Sequence, residues 1–205
     1  NPVSKGKINY DLINVRETLY KNYDYNGIMG MYLSKGCTGH CTFCYNTAFH
    51  KNCYRSRDID LFIEEVRYLK ENHGLKAVAF ADELFGYNKE TLREICKKLI
   101  EADLGIHWGG MTKIGLFDKE DFQLMHDAGC RWLEFGIESG AKTTLARMKK
   151  GYKPGRVEED LQNWDNHHKR EHVQYRREQH YIYYRSYCSQ YCAQRYVTCK
   201  YYNNR

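Results

Sequence analysis

Four times in succession the chain runs a short apolar stretch into an amphipathic one, and that alternation limits the folds open to it. The stretches "MGMYLS" (29–34), "KAVAFADELF" (76–85), "IHWGGMTKI" (106–114) and "RWLEFGIESG" (131–140) read as strands. Between and after them, "DIDLFIEEVRYLKENHG" (58–74), "NKETLREICKKLIEADLG" (88–105), "DKEDFQLMHDAGC" (118–130) and "AKTTLARMKKG" (141–151) read as helices. In the first helix Ile59, Phe62, Ile63, Val66 and Leu69 fall at helical spacing, and Gly74 stands as C-cap. In the second, Leu92, Ile95, Cys96, Leu99 and Ile100 share a face and Gly105 closes it; Asp118 is the N-cap of the third. Repeats of this kind build a parallel sheet with helices on its outer side. The expected fold is α/β, an incomplete TIM-like (β/α) barrel of about four βα units.

In such sheets the chemistry gathers at the C-terminal ends of the strands. Cys37, Cys41 and Cys44 follow the first strand, Asp82 and Glu83 end the second, Lys113 ends the third, and Glu138 and Ser139 end the fourth. All of these residues are expected on one rim. The polar, Tyr-rich residues 1–28 read as an arm or linker, 29–160 as a partial core, and 161–205 as a separate tail.

Charge separates that tail from the rest. The net charge is +6, and residues 166–205, with eight Lys or Arg against two Glu, account for all of it. The remainder, with 24 basic and 24 acidic residues, is not a nucleic-acid surface by charge. No apolar run approaches the roughly 20 residues that span a bilayer, and no charged-then-apolar leader is present in these residues, so neither a membrane nor a nucleic-acid partner is expected. Nine cysteines without a leader point to metal or redox chemistry in a reducing cytoplasm. From residue 167 onward there is no Gly, Leu, Phe or Pro, while nine Tyr occur. An out-of-frame or otherwise aberrant end with little structure is expected there, which makes Cys188, Cys192 and Cys199 incidental.

The loop "SKGCTGHCTFCYN" (34–46) carries three thiols in eight residues. Thiolates hold iron–sulfur clusters and zinc. On a 4Fe–4S cluster, three cysteines leave one iron open to a small amine-and-carboxylate chelator. The alternative is structural zinc, with Cys53 or His40 as fourth ligand. Asp82 and Glu83 are either solvated strand-end residues or partners for a ligand amine. Ser139 suits an N-cap for the fourth helix, beside a ligand role for Glu138. Lys113 is a solvated lysine or a ligand contact, His107 a packing residue, and Cys96 and Cys130 core positions.

Cys37-x3-Cys41-x2-Cys44, with Phe43 before the last cysteine, resembles the signature of the radical S-adenosylmethionine (radical SAM) superfamily. "AFADELF" and "GIESG" resemble that family's second- and fourth-strand motifs, and the resemblance covers about residues 29–155. Together with "INYDLINVRETLY", the pattern is most similar to members carrying a preceding cobalamin-binding domain. These residues hold no such domain, and cobalamin is not inferred from them. The resemblance implies a 4Fe–4S cluster on Cys37, Cys41 and Cys44, with SAM chelating the open iron. One electron passed to the sulfonium then yields a 5′-deoxyadenosyl radical. It also implies adenine contacts from the main chain at Phe43 and amino-group contacts from Asp82 or Glu83, with Glu83 favoured. Glu138 would approach the ribose or methionine portion, and Ser139 and Lys113 would lie in the same site; Lys113 stands where many relatives carry Arg. No catalytic side chain is implied beyond the cluster ligands. An electron donor such as flavodoxin or ferredoxin is expected, and the substrate is open to methylation, cyclisation or sulfur insertion. Two rival classes are a zinc-stapled binding module and a catalytically inactive fragment, since members usually have six βα units.

Overall fold

A computed structural model describes residues 8–21 and 26–168. Strands β1 (Tyr20–Lys21), β2 (Asn26–Met31), β3 (Ser34–Lys35), β4 (Arg55–Ser56), β5 (Ala77–Phe80), β6 (His107–Thr112) and β7 (Cys130–Phe135) alternate with helices. These are α1 (Val15–Thr18), α2 (Asn46–Phe49), α3 (Ile59–His73), α4 (Lys89–Ala102), α5 (Lys119–Asp127), α6 (Lys142–Arg147) and α7 (Gly155–His168). The main sheet runs β1-β2-β5-β6-β7. β2, β5, β6 and β7 are parallel, and β1 pairs antiparallel on the edge of β2. This is an incomplete TIM-like (β/α) barrel with four parallel strands.

Helices α3, α4, α5 and α7 pack side by side against the sheet because their apolar stripes and alternate strand residues need each other's burial. Phe62 on α3 stacks on Phe80 of β5 (5.6 Å), and Phe80 meets Phe85 (4.4 Å) and the edge of Trp108 (5.4 Å). Ile59, Phe62, Val66 and Leu69 are buried as the spacing requires, and Gly74 caps α3 at φ +77. Cys96 and Cys130 are fully buried in this layer. Asp118 caps α5 in a reciprocal capping box with Asp121.

The opposite, inner face carries small side chains. Gly30 on β2 faces open space, and Gly109 on β6 is covered by Trp132, whose indole comes within 2.3 Å of where a Cβ would stand. Trp132 reaches that face through a register shift in the β6–β7 ladder: Trp108 pairs with Cys130, but Gly109 pairs with Trp132. The extra residue, Arg131, is a bulge.

Several sequence expectations shift. The first strand ends at Met31 rather than Ser34, because the Leu33 and Ser34 N–H groups turn away to Asp82, and Ser34–Lys35 pair instead with Arg55–Ser56. α4 closes at Asp103, itself left-handed at φ +44, two residues before Gly105, and Ile100 is exposed. The N-cap of α6 is Ala141, not Ser139; the Ser139 hydroxyl accepts the Ala141 N–H at 3.1 Å. Residues 8–21 are tied to the core through buried Tyr10 and Val15, with the Tyr10 hydroxyl on Glu65. α7 runs across the boundary placed at 160–161, burying Val157, Leu161 and Trp164. Asp160 on α7 accepts the Gly115 N–H at 2.6 Å, tying the helix to the loop after β6. The expectations for the basic tail, including its three cysteines, lie outside the described residues.

Candidate active site

The cysteine loop leaves β2 under the grip of the acidic pair that ends β5. Asp82 Oδ1 accepts the Leu33 N–H at 2.9 Å and Oδ2 the Ser34 N–H at 2.8 Å, with the Ser34 hydroxyl donating to Oδ2 as well. Asp82 is 1% exposed. Burial pushes its carboxyl up to about 6 despite these donors. The next residue, Glu83, takes the Gly36 N–H on Oε2 at 2.7 Å and His50 Nε2 on Oε1 at 3.0 Å. Arg55 donates to His50 Nδ1 at 3.4 Å, which leaves Nε2 to carry the proton toward Glu83. Burial opposes the Glu83 charge, but the Gly36 N–H, its own backbone N–H and His50 outweigh it and hold the carboxyl below its ordinary value.

Inside the loop two further devices fix the thiols. The Asn46 amide clamps Cys37: Oδ1 accepts the Cys37 N–H at 3.1 Å while Nδ2 donates to the Cys37 carbonyl. Gly36 sits at φ +84, and a Cβ there would fall 1.9 Å from the Cys53 carbonyl oxygen, so no other residue fits. Gly39 donates its N–H to Cys37 Sγ at 3.2 Å. A Cβ on Gly39 would stand 3.2 Å from Cys37 Sγ and 4.0 Å from Cys41 Sγ, so the missing side chain leaves space beside two sulfurs. Cys37, Cys41 and Cys44 are all free thiols. Burial raises the Cys37 thiol, the Gly39 N–H lowers it, the neighbouring Cys41 and Cys44 raise it, and Lys113 lowers it.

The fourth βα unit holds the loop from the other side. Thr42 donates its N–H to the Met148 carbonyl at 3.1 Å, and Cys41 Sγ lies 3.8 Å from the Lys149 carbonyl oxygen. Glu138, left-handed at φ +64, meets Lys150 Nζ through Oε1 at 3.0 Å. That ammonium also sits 5.6 Å from the centroid of the Phe43 ring. Lys113 Nζ comes 3.1 Å from where a Cβ on Gly151 would stand.

The rim therefore gathers Cys37, Cys41, Phe43, Asp82, Glu83, Lys113 and Glu138 around one loop. Cys44 is exposed on that loop, and Ser139 stays at the β7 end with its hydroxyl turned to Ala141. Sequence reasoning missed Asn46, His50 and Lys150 as parts of this arrangement. A glycine-flanked cysteine loop offers no local signal for them, except that a buried amide or lysine must find a partner.

A parallel sheet with three thiols at the head of its first strand defines a class, and comparison with known proteins identifies it. The chain matches the radical SAM superfamily over residues 31–172 and belongs to that family. It is 29% identical over 121 residues to an uncharacterized methyltransferase of Pyrococcus horikoshii, covering 59% of this chain and 26% of that protein. It is 31% identical over 122 residues to the cytidylyl-2-hydroxyethylphosphonate methyltransferase of Streptomyces wedmorensis, covering 58% and 22%. The chain thus spans about a quarter of the length of the curated relatives it matches. Its fold is shared with the radical SAM methyltransferase TsrM of Kitasatospora setae, solved with tryptophan and a SAM analogue. The TM-score is 0.64 at 17% identity, over 69% of this chain and 29% of that one. A second TsrM structure holds cobalamin and a [4Fe-4S] cluster. The protein is an enzyme by this resemblance, and among the described residues no helix is long and apolar enough to cross a membrane.

Thiolates are the donors that the family's cluster takes, and among the described residues no three His, Cys, Asp or Glu side chains already converge on one metal position. Three free thiols share one loop, and that loop's backbone is fixed by Asp82, Glu83 and Asn46, so no disulfide is needed to hold it. Gly39 leaves room beside two of the sulfurs.

Proposed function

We propose that Cys37, Cys41 and Cys44 hold a 4Fe–4S cluster, and that the strand ends around them bind SAM for reductive cleavage. The observation that carries this reading is the double anchoring of the loop. The β5 acidic pair holds its entry and the turn at 148–150 holds its middle, on a loop that carries three free thiols. When bound, the cluster supplies one low-potential electron to the SAM sulfonium, for cleavage to methionine and a 5′-deoxyadenosyl radical.

The chain's own groups bind and orient. Glu83 takes the SAM amino group on the lone pairs left after Gly36 and His50, while Asp82, buried on the loop's root, sets the loop's position. Glu138 accepts from the ribose, with Ser139 beside it, and the main chain at Phe43 meets adenine. Lys113, near enough to lower the Cys37 thiol, offsets negative charge at the cluster. Residues 29–160 form the working core, extended by α7. The substrate approaches the inner face near Gly30 and Trp132. The relatives' names favour methyl transfer as the reaction class, and a reductant such as flavodoxin or ferredoxin completes it.

Anaerobic reconstitution with iron and sulfide, followed by reduction with SAM, tests this. The expected result is about four irons per chain and 5′-deoxyadenosine, both lost in Cys41→Ala. One tightly held zinc with no labile sulfide would overturn the cluster. Cluster uptake without 5′-deoxyadenosine would overturn the cleavage.

A further inference from the structure

Lys150 is only 9% exposed, and an ammonium so buried needs partners. It has two, from opposite halves of the site. Nζ binds Glu138 Oε1 at 3.0 Å, and it stands 5.6 Å from the Phe43 ring centroid, within cation–π range. Gly136 makes the slot for it: a Cβ there would come 3.0 Å from Nζ. The backbone is equally committed. The Lys150 N–H donates to the Leu145 carbonyl at 3.0 Å, and neighbouring Met148 receives Thr42 of the cysteine loop. Glu138 itself is held at φ +64, a conformation that a glutamate keeps only where its surroundings fix it.

We propose that Lys150 is the positioning residue of the SAM site, locking the Glu138 carboxylate and the Phe43 segment into one arrangement. The inference rests on the proposed SAM reading. By occupying Oε1, Lys150 leaves the Oε2 lone pairs to accept from a ligand hydroxyl. By lying against Phe43, it fixes the segment assigned to adenine relative to the group assigned to ribose. Its role is exerted through Glu138 and Phe43, the two groups it contacts.

The test uses the cluster-loaded chain and the variants Lys150→Met, Lys150→Arg, Glu138→Gln and the double variant Lys150→Met/Glu138→Gln. SAM affinity is read by equilibrium dialysis. Lys150→Met is expected to weaken SAM binding about 10-fold, with Lys150→Arg recovering most of the loss. The double variant should be no worse than Glu138→Gln alone, because both changes break one pair. Iron and sulfide per chain should not change. In the cluster-free chain, chymotrypsin should cut after Phe43 faster in Lys150→Met than in the parent. Unchanged SAM affinity in Lys150→Met would overturn the inference, as would additive losses in the double variant or an affinity loss matched by lost iron. A parent chain that loads its cluster but binds no SAM would overturn the SAM reading, and this inference with it.

Discussion

Asp82 accepts the backbone N–H groups of Leu33 and Ser34 at 2.9 and 2.8 Å, joining the end of β5 to the root of the cysteine loop. The adjacent Glu83 repeats the grip one step further along, at Gly36. The "ADE" segment is thus first of all a two-toothed catch on the loop. Any ligand contact by Glu83 is added to that, since a carboxylate has lone pairs for more than the two partners it already meets.

Asp82 makes stability depend on pH in a defined direction. Its carboxyl is pushed by burial from 3.8 to about 6, so between those values the folded state keeps a proton that the unfolded chain has released. Stability from this group is therefore greatest below about pH 4 and falls by about 2–3 kcal/mol as pH rises to about 7. Asp82→Asn removes the ionisation. Urea unfolding of both proteins across this range should show the parent's advantage over Asp82→Asn shrinking as pH rises. A parent advantage that grows with pH would mean that the three donors outweigh burial.

Asn46→Ala tests the clamp on Cys37. The change strips partners from the Cys37 N–H and carbonyl together, at a residue 2% exposed. A loss of about 2 kcal/mol in unfolding free energy is expected. Iron uptake during reconstitution should fall with it, because the first thiol loses its fixed direction. Asn46→Asp, which keeps the acceptor for the Cys37 N–H and loses the donor, should fall between parent and alanine in both measurements.

How much of this was legible beforehand follows the range of the interactions. The apolar stripe of Phe62, Val66 and Leu69, the Gly74 cap and the Asp118 cap are written in residues within a turn or two of one another, and spacing alone reveals them. The three thiols and the acidic residues were legible as a set on one rim, because βα order places strand ends together. What each group touches was not. Asp82 meets Ser34 across 48 residues, and Cys41 meets Lys149 across 108. Such pairings leave no local periodicity. Asp103 ending α4 ahead of Gly105 is a smaller case: a left-handed aspartate does the work for which a glycine two residues on was the stronger signal.

Gly36→Ala should be the most damaging single change in the loop outside the thiols. The new methyl group would stand 1.9 Å from the Cys53 carbonyl oxygen, at a φ of +84 that alanine resists. Left-handed backbone alone costs about 1 kcal/mol, and the collision must move either the loop or Cys53 in addition. Circular dichroism should still report the βα layers, since Gly36 lies outside the main sheet. Reconstitution should give little iron. Parent-like iron content would show that the loop tolerates rearrangement and that its observed path is not needed.

Cys53→Ala separates the two metal readings of the loop. Cys53 is exposed, and its sulfur lies 3.5 Å from the Lys51 carbonyl oxygen, within its own turn. His40 is likewise engaged, with Nδ1 3.0 Å from Asn52 Nδ2. A zinc held by Cys37, Cys41 and Cys44 would need a fourth ligand such as these two, because structural zinc is closed at four. A 4Fe–4S cluster with one iron kept open needs neither. Cys53→Ala and His40→Ala should therefore keep parent levels of iron and sulfide, whereas Cys37→Ala, Cys41→Ala and Cys44→Ala should each lose most of them. If Cys53→Ala loses metal as completely as Cys41→Ala, Cys53 is a ligand, the site is closed, and no coordination position remains for SAM.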